Sequence, residues 1–173
     1  MKRLALSSLV FLVWLLPAVS VQAGFVLEGP DAMIKGGLTP DYVGDDDLTP
    51  PVSISMQTAR ARTRVGGMTE FRIKYDNEDI VGSDNYTIDG CGSSRKFKVT
   101  YESGGDNVTQ KVANGNFDTV KVGAGLSKED FYMVVKVKDA ASVGDIKKCR
   151  VHFDSVNGDD EDSVRAKVKV KAG

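Results

Sequence analysis

The chain has 173 residues, 41% of them hydrophobic, with 23 Lys and Arg against 24 Asp and Glu for a formal net charge of −1. That balance gives no overall positive field, so neither nucleic acid nor an anionic membrane is an expected partner. One histidine and two cysteines leave little material for a metal centre or an activated nucleophile.

The chain opens with Met1-Lys2-Arg3, an apolar run from Leu4 to Leu16, Pro17, and small residues at Val21 and Ala23 before Gly24. This is the pattern of a secretory signal peptide over residues 1–23. The run is too short to cross about 30 Å of hydrocarbon, and no later run reaches spanning length, so no transmembrane segment is predicted. The expected product is secreted, periplasmic or held at the cell surface. Loss of Lys2 and Arg3 leaves 21 basic against 24 acidic side chains, and the sole tryptophan, Trp14, leaves with them.

Residues 24–52, with Gly36-Gly37, Pro40, Pro50-Pro51 and the acidic run Asp45-Asp46-Asp47, read as an extended lead-in with one short edge strand at Ala32 to Lys35. Residues 53–173 read as a single all-β domain. Ile54 to Val65 fits a further edge strand, with Arg60, Arg62 and Arg64 on one parity and Ala61, Thr63 and Val65 on the other. Phe71, Ile73 and Tyr75 alternate with Arg72 and Lys74, and Phe97, Val99 and Tyr101 with Lys98 and Thr100. Each run offers one apolar face. Tyr86 with Ile88, Val108 with Val112, and Phe117 to Val122 are further strand candidates. Phe131 to Val137 is apolar on both parities at its start and reads as a central strand. Cys149, Val151 and Phe153 alternate with Lys148, Arg150 and His152. In the last run Val164, Ala166, Val168 and Val170 oppose Arg165, Lys167, Lys169 and Lys171. Glycine and asparagine turns between these runs, at roughly ten-residue spacing, predict an immunoglobulin-like antiparallel β-sandwich of about seven to nine strands.

Asp31-Ala32-Met33-Ile34 near Asp41-Tyr42-Val43-Gly44-Asp45, Gly66-Gly67 before Phe71 to Asn77, Ala141 to Asp145, and Asp162 to Val168 are similar to motifs of bacterial extracellular immunoglobulin-like repeat domains, modules of cell-adhesion-related surface proteins. The resemblance covers most of residues 31–171. It implies an immunoglobulin-like fold and a structural or adhesive role. An antibody-type domain is not expected, because its core tryptophan is lacking.

Cys91 and Cys149 are an even pair in an exported chain, which predicts a disulfide. A metal site would want more ligands beside them, and Cys91 as a nucleophile would need a base. His152 is the one candidate base for a Ser-His-Asp arrangement, and its place between Val151 and Phe153 puts it on a solvent face. No enzyme is predicted. Three acidic clusters supply hard oxygen ligands, and Asp45, Asp47, Asp76 and Asp79 are the candidate set for a structural Ca²⁺; no other cofactor is expected. Lys136, Lys138, Lys148, Arg150, Lys167, Lys169 and Lys171 are candidates for one basic surface that seats an acidic glycan or another partner, against the plainer role of guarding an edge. The expected function is an exported structural or adhesive module that binds a protein or polysaccharide at the cell envelope. The alternatives are a filament subunit assembled through the Gly24 to Pro51 arm and a small secreted hydrolase.

Overall fold

The computed structural model describes residues 30–44, 57–78, 81–158 and 161–173. In chain order the strands are β1 (Pro30–Gly36), β2 (Thr39–Val43), β3 (Thr58–Thr63), β4 (Met68–Asn77), β5 (Ser83–Asp84), β6 (Tyr86–Gly90), β7 (Phe97–Ser103) and β8 (Asp106–Asn107). After the helical turn α1 (Thr109–Ala113) come β9 (Phe117–Asp118), β10 (Val122–Gly123), β11 (Leu126–Val137), β12 (Ile146–Ser155) and β13 (Glu161–Val170). Nine of these strands have five residues or more.

They form two layers. A six-stranded sheet has the order β2-β1-β4-β11-β7-β8, a five-stranded sheet has the order β3-β13-β12-β6-β9, and β5 pairs with β10 in a small ribbon. The expected all-β sandwich is therefore the architecture found. Period-two patterning explains the layers: each long strand sends alternate side chains into one shared core. Phe71, Ile73, Tyr75, Val99, Tyr101, Phe131 and Met133 from one sheet meet Ile88, Val151, Phe153, Val164, Ala166 and Val168 from the other, all buried. Phe131 sits at the middle, its ring 5.9 Å from Tyr101, 6.0 Å from Phe117 and 6.3 Å from Phe153. Offset and edge-to-face rings at these separations add to the area that they bury.

Several expectations change. The strand expected at the edge, Ala32 to Lys35, lies inside the sheet: β1 stands between β2 and β4, pairs with β4 over all seven residues, and is buried from Pro30 to Ile34, while β2 forms the edge. Part of the reason is a side chain distant in sequence. Asp162 accepts hydrogen bonds from Ala32 N (2.7 Å), Gln57 Nε2 (3.0 Å) and its neighbour Ser163 N, which satisfies one N–H in the part of β1 that β2 does not reach. Val108 and Val112 belong to α1 and its N-cap rather than a strand. The run Phe117 to Val122 splits, since β9 joins the five-stranded sheet and β10 pairs with β5. One pairing is parallel, β3 against β13, where the sequence suggested antiparallel order throughout.

The disulfide forms between Cys91 and Cys149, with Cα atoms 5.3 Å apart, and links β12 to the chain just after its neighbour β6. The Tyr101 hydroxyl donates to Cys91 O at 2.9 Å and lies 3.2 Å from Cys149 Sγ. Burial pushes the Tyr101 hydroxyl well above its usual pKa, with Asp89 adding to the rise, so the group is a neutral donor here. Gly90 makes room for it: a Cβ there would stand 2.6 Å from that hydroxyl oxygen.

Candidate functional site

The core-facing parity of β12, β13 and β3 fixes what the other parity must show. Between Cys149, Val151 and Phe153 stand Lys148, Arg150 and His152; between Val164, Ala166, Val168 and Val170 stand Arg165, Lys167 and Lys169; beside Ala59 and Ala61 stand Arg60 and Arg62. The registers set these outward side chains directly opposite one another. Lys148, Lys167 and Arg60 form one row across three strands. Arg150 and Arg165 form a second, and Lys169 with Arg62 a third that ends on Ile146. Like charges directly opposite on a sheet repel, so the array costs stability in the free protein.

The array also lacks acids. Among the described residues none of Arg60, Arg62, Lys148, Arg165, Lys167 or Lys169 makes an ion pair, whereas several cations on the outer face of the six-stranded sheet have a partner there. There Lys74 meets Asp76 at 2.7 Å, Lys35 Nζ lies 4.1 Å from the centre of the Tyr42 ring, and Arg72 stacks on Tyr132. Burial and the nearby Glu129 push the Tyr42 hydroxyl up to about 12, so it is neutral on that face. One like-charged pair recurs on it, Lys98 opposite Lys136.

A shallow groove of about 250 Å³ crosses the basic face, lined by Leu38, Arg60, Arg62, Ile146, Lys167 and Lys169. The hairpin between β1 and β2 builds one wall. Leu38 N donates to Arg60 O at 2.7 Å, and the Thr39 hydroxyl accepts from Arg60 N at 3.0 Å, so the hairpin tip docks on the free edge of β3. Gly37 makes this docking fit, with φ of +61° and a position at which a Cβ would stand 2.5 Å from Ala61 Cβ. The hairpin thereby covers the middle of that edge, at Arg60.

Of the residues expected to share a basic surface, Lys148, Arg150, Lys167 and Lys169 come together on this face. Lys136 and Lys138 do not, because β11 pairs with β4 and β7 in the other sheet, and Lys138 Nζ donates to Ser94 O at 2.8 Å. Lys171 lies just beyond β13, exposed. Arg60, Arg62 and Arg165 also belong to the face, although no local pattern joins β3 to β13. Lys147, on the inward parity, donates to Gly92 O at 2.9 Å, and burial holds its pKa below the usual lysine value.

Of the candidate Ca²⁺ ligands, Asp45, Asp47 and Asp79 lie outside the described residues; Asp76 is half-buried on β4 and paired with Lys74. A different trio does converge. His152 Nε2 lies 2.9 Å from Asp154 Oδ1 and 3.1 Å from Glu161 Oε2, while Arg150 Nη2 lies 3.2 Å from His152 Nδ1. The histidine thus sits between two carboxylates at the acidic end of the β12–β13 ladder, where Asp154 faces Glu161.

No protein-family model matches the sequence, and no curated protein matches it. Among solved structures the chain is similar to the VesB protease of Vibrio cholerae, at 17% identity and TM-score 0.41 over 65% of this chain and 30% of that one. It is also similar to a family 123 glycoside hydrolase from Clostridium perfringens, at 12% identity and TM-score 0.45 over 83% and 27%. A third likeness is to the third cohesin of ScaC from Acetivibrio cellulolyticus, solved in complex with the ScaB dockerin, at 11% identity and TM-score 0.36 over 81% and 100%. The chain spans less than a third of the length of the first two. These likenesses carry no argument about activity or partner.

Proposed function

We propose that the protein is an exported, non-catalytic binding module that engages an anionic partner at the cell envelope through the outer face of its five-stranded sheet. The observation that carries this reading is the set of like-charged rows on β3, β13 and β12. An ordinary solvated sheet face mixes signs and gains from cross-strand pairs, so rows of one sign that lack acid partners represent stability given up for attraction to something outside the chain. Export is supported by the signal-peptide pattern and by a disulfide of the kind that persists in oxidising compartments. Among the described residues no helix is long and apolar enough to cross a membrane. The resemblance to adhesion-related surface modules points the same way. The filament alternative is weakened, because residues 30–43 of its proposed arm are already paired within their own sheet.

Adsorption of the purified protein to isolated cell envelopes tests the reading. The triple variant R60E/K148E/K167E is expected to lose binding by about tenfold or more, and K136E/K138E, on the other sheet, to bind as the unaltered protein does. Equal binding by the triple variant would rule the basic face out.

A further inference from the structure

We infer that the groove on the basic face takes an acidic polysaccharide, one whose rings carry carboxylates. This deepens the proposed function and rests on it. The composition of the face selects among anionic polymers. Protein partners are recognised by surfaces enriched in aromatic anchors and depleted of lysine, and this face presents Arg60, Arg62, Lys148, Arg165, Lys167 and Lys169 with no aromatic side chain between them. Single-stranded nucleic acid is held by bases stacked on aromatic rings, which are likewise missing from these rows. A linear polyuronate needs neither anchor.

Its needs match what is present. Cations recur across neighbouring strands at about 4.8 Å and along each strand at every second residue, about 6.8 Å, so a flat polymer with an acid on each ring meets a cation wherever it lies. Arg60 and Arg62 offer planar forks suited to bidentate carboxylate contacts. The groove is small, about 250 Å³, which fits one sugar ring and not a folded segment of protein. Its two ends are apolar: Leu38 is 61% exposed at the hairpin tip, and Ile146 is 46% exposed at the end of the third cationic row. A pyranose ring presents C–H faces to such walls and carboxylates to the cations between them. Other apolar side chains are exposed on this chain, Met68 and Leu126 among them, but Leu38 and Ile146 line one groove together with four cations.

Calorimetric titration with a galacturonic acid decasaccharide, with poly-glutamate of matched charge and a short DNA duplex as rivals, tests the inference. The decasaccharide is expected to bind about tenfold more tightly than either rival at low salt. Leu38→Ser is expected to weaken the decasaccharide severalfold and to leave poly-glutamate unchanged, with an unaltered urea midpoint as the check on folding. Rival polymers binding as tightly, indifference to Leu38→Ser, or no binding of the decasaccharide would each overturn the inference and leave adsorption to envelopes to decide the wider reading. Equal decasaccharide binding by R60E/K148E/K167E would remove both.

Discussion

Lys167→Glu exchanges one charge at the centre of the densest row. In the register Lys167 lies between Lys148 on β12 and Arg60 on β3, so the substitution turns two opposed like-charged pairs into two attractive ones. Cross-strand charge pairs are worth about 0.2–1 kcal/mol each, and exposed ion pairs fall in the same range. Two sign reversals, less a small loss of strand preference on replacing Lys by Glu, give an expected gain of about 1 kcal/mol in the stability of the free protein. Because the pairs face solvent, salt must screen the gain. Urea unfolding at about 20 mM and about 500 mM NaCl should show the raised midpoint at low salt and most of it lost at high salt. A variant that is no more stable at low salt, or equally stabilised at both, would refute the claim that the rows repel one another. The same variant should bind envelopes less well, so stability and binding are expected to move in opposite directions.

Other consequences concern the frame that holds the face. Replacing Cys91 and Cys149 together by serine opens a loop of sequence separation 58, and chain entropy assigns such a loop about 4 kcal/mol, to be read as a fall in the urea midpoint; an unchanged midpoint would contradict it. Asp162→Ala leaves the buried Ala32 N–H without its acceptor and releases Gln57, an expected loss of about 2 kcal/mol with β1 opening first in hydrogen exchange; full protection of β1 would count against the clamp. Asp145 accepts from Lys96 Nζ at 2.8 Å and from Ser142 N at 2.7 Å, and these contacts, Lys96 first, hold its carboxyl below the usual carboxylate range. A depressed folded value means that the unfolded chain binds the proton more readily, so the contribution is complete above about pH 4 and fades as pH falls through the folded value. Asp145→Asn should therefore unfold more easily at neutral pH, with the difference from the unaltered protein closing in acid; a difference independent of pH would refute the assignment.

What could be read from the sequence was whatever depends on one strand alone. The alternation in β4, β7, β12 and β13 named their core faces correctly, and it placed Lys148, Arg150, Lys167 and Lys169 outward. Pairing between distant strands leaves no local trace. β3 shows Arg60 and Arg62 on one parity, but nothing in it specifies a parallel seat beside β13, and nothing in β11 says that Lys136 and Lys138 belong to the other layer. Val108 and Val112 resemble a strand for a different reason: a spacing of four is even, as in a strand, and is also one helical turn. The inner place of β1 comes from β4 on one side and from β2 and Asp162, 130 residues away from Ala32, on the other, behind flanking glycine and proline signals that read as an edge. The groove needed all of these at once, since its walls come from a hairpin tip and a strand end that only tertiary pairing brings to the same face.

Lysine footprinting offers the most direct measure of where the protein binds. Acetylation rates of each lysine, read by mass spectrometry for the protein free and adsorbed on envelopes, carry their own control, because both sheets display lysines to solvent. Protection is expected at Lys148, Lys167 and Lys169, with Lys98 and Lys136 reacting as they do in the free protein. Protection of Lys98 and Lys136 instead, or equal protection on both sheets, would contradict the account.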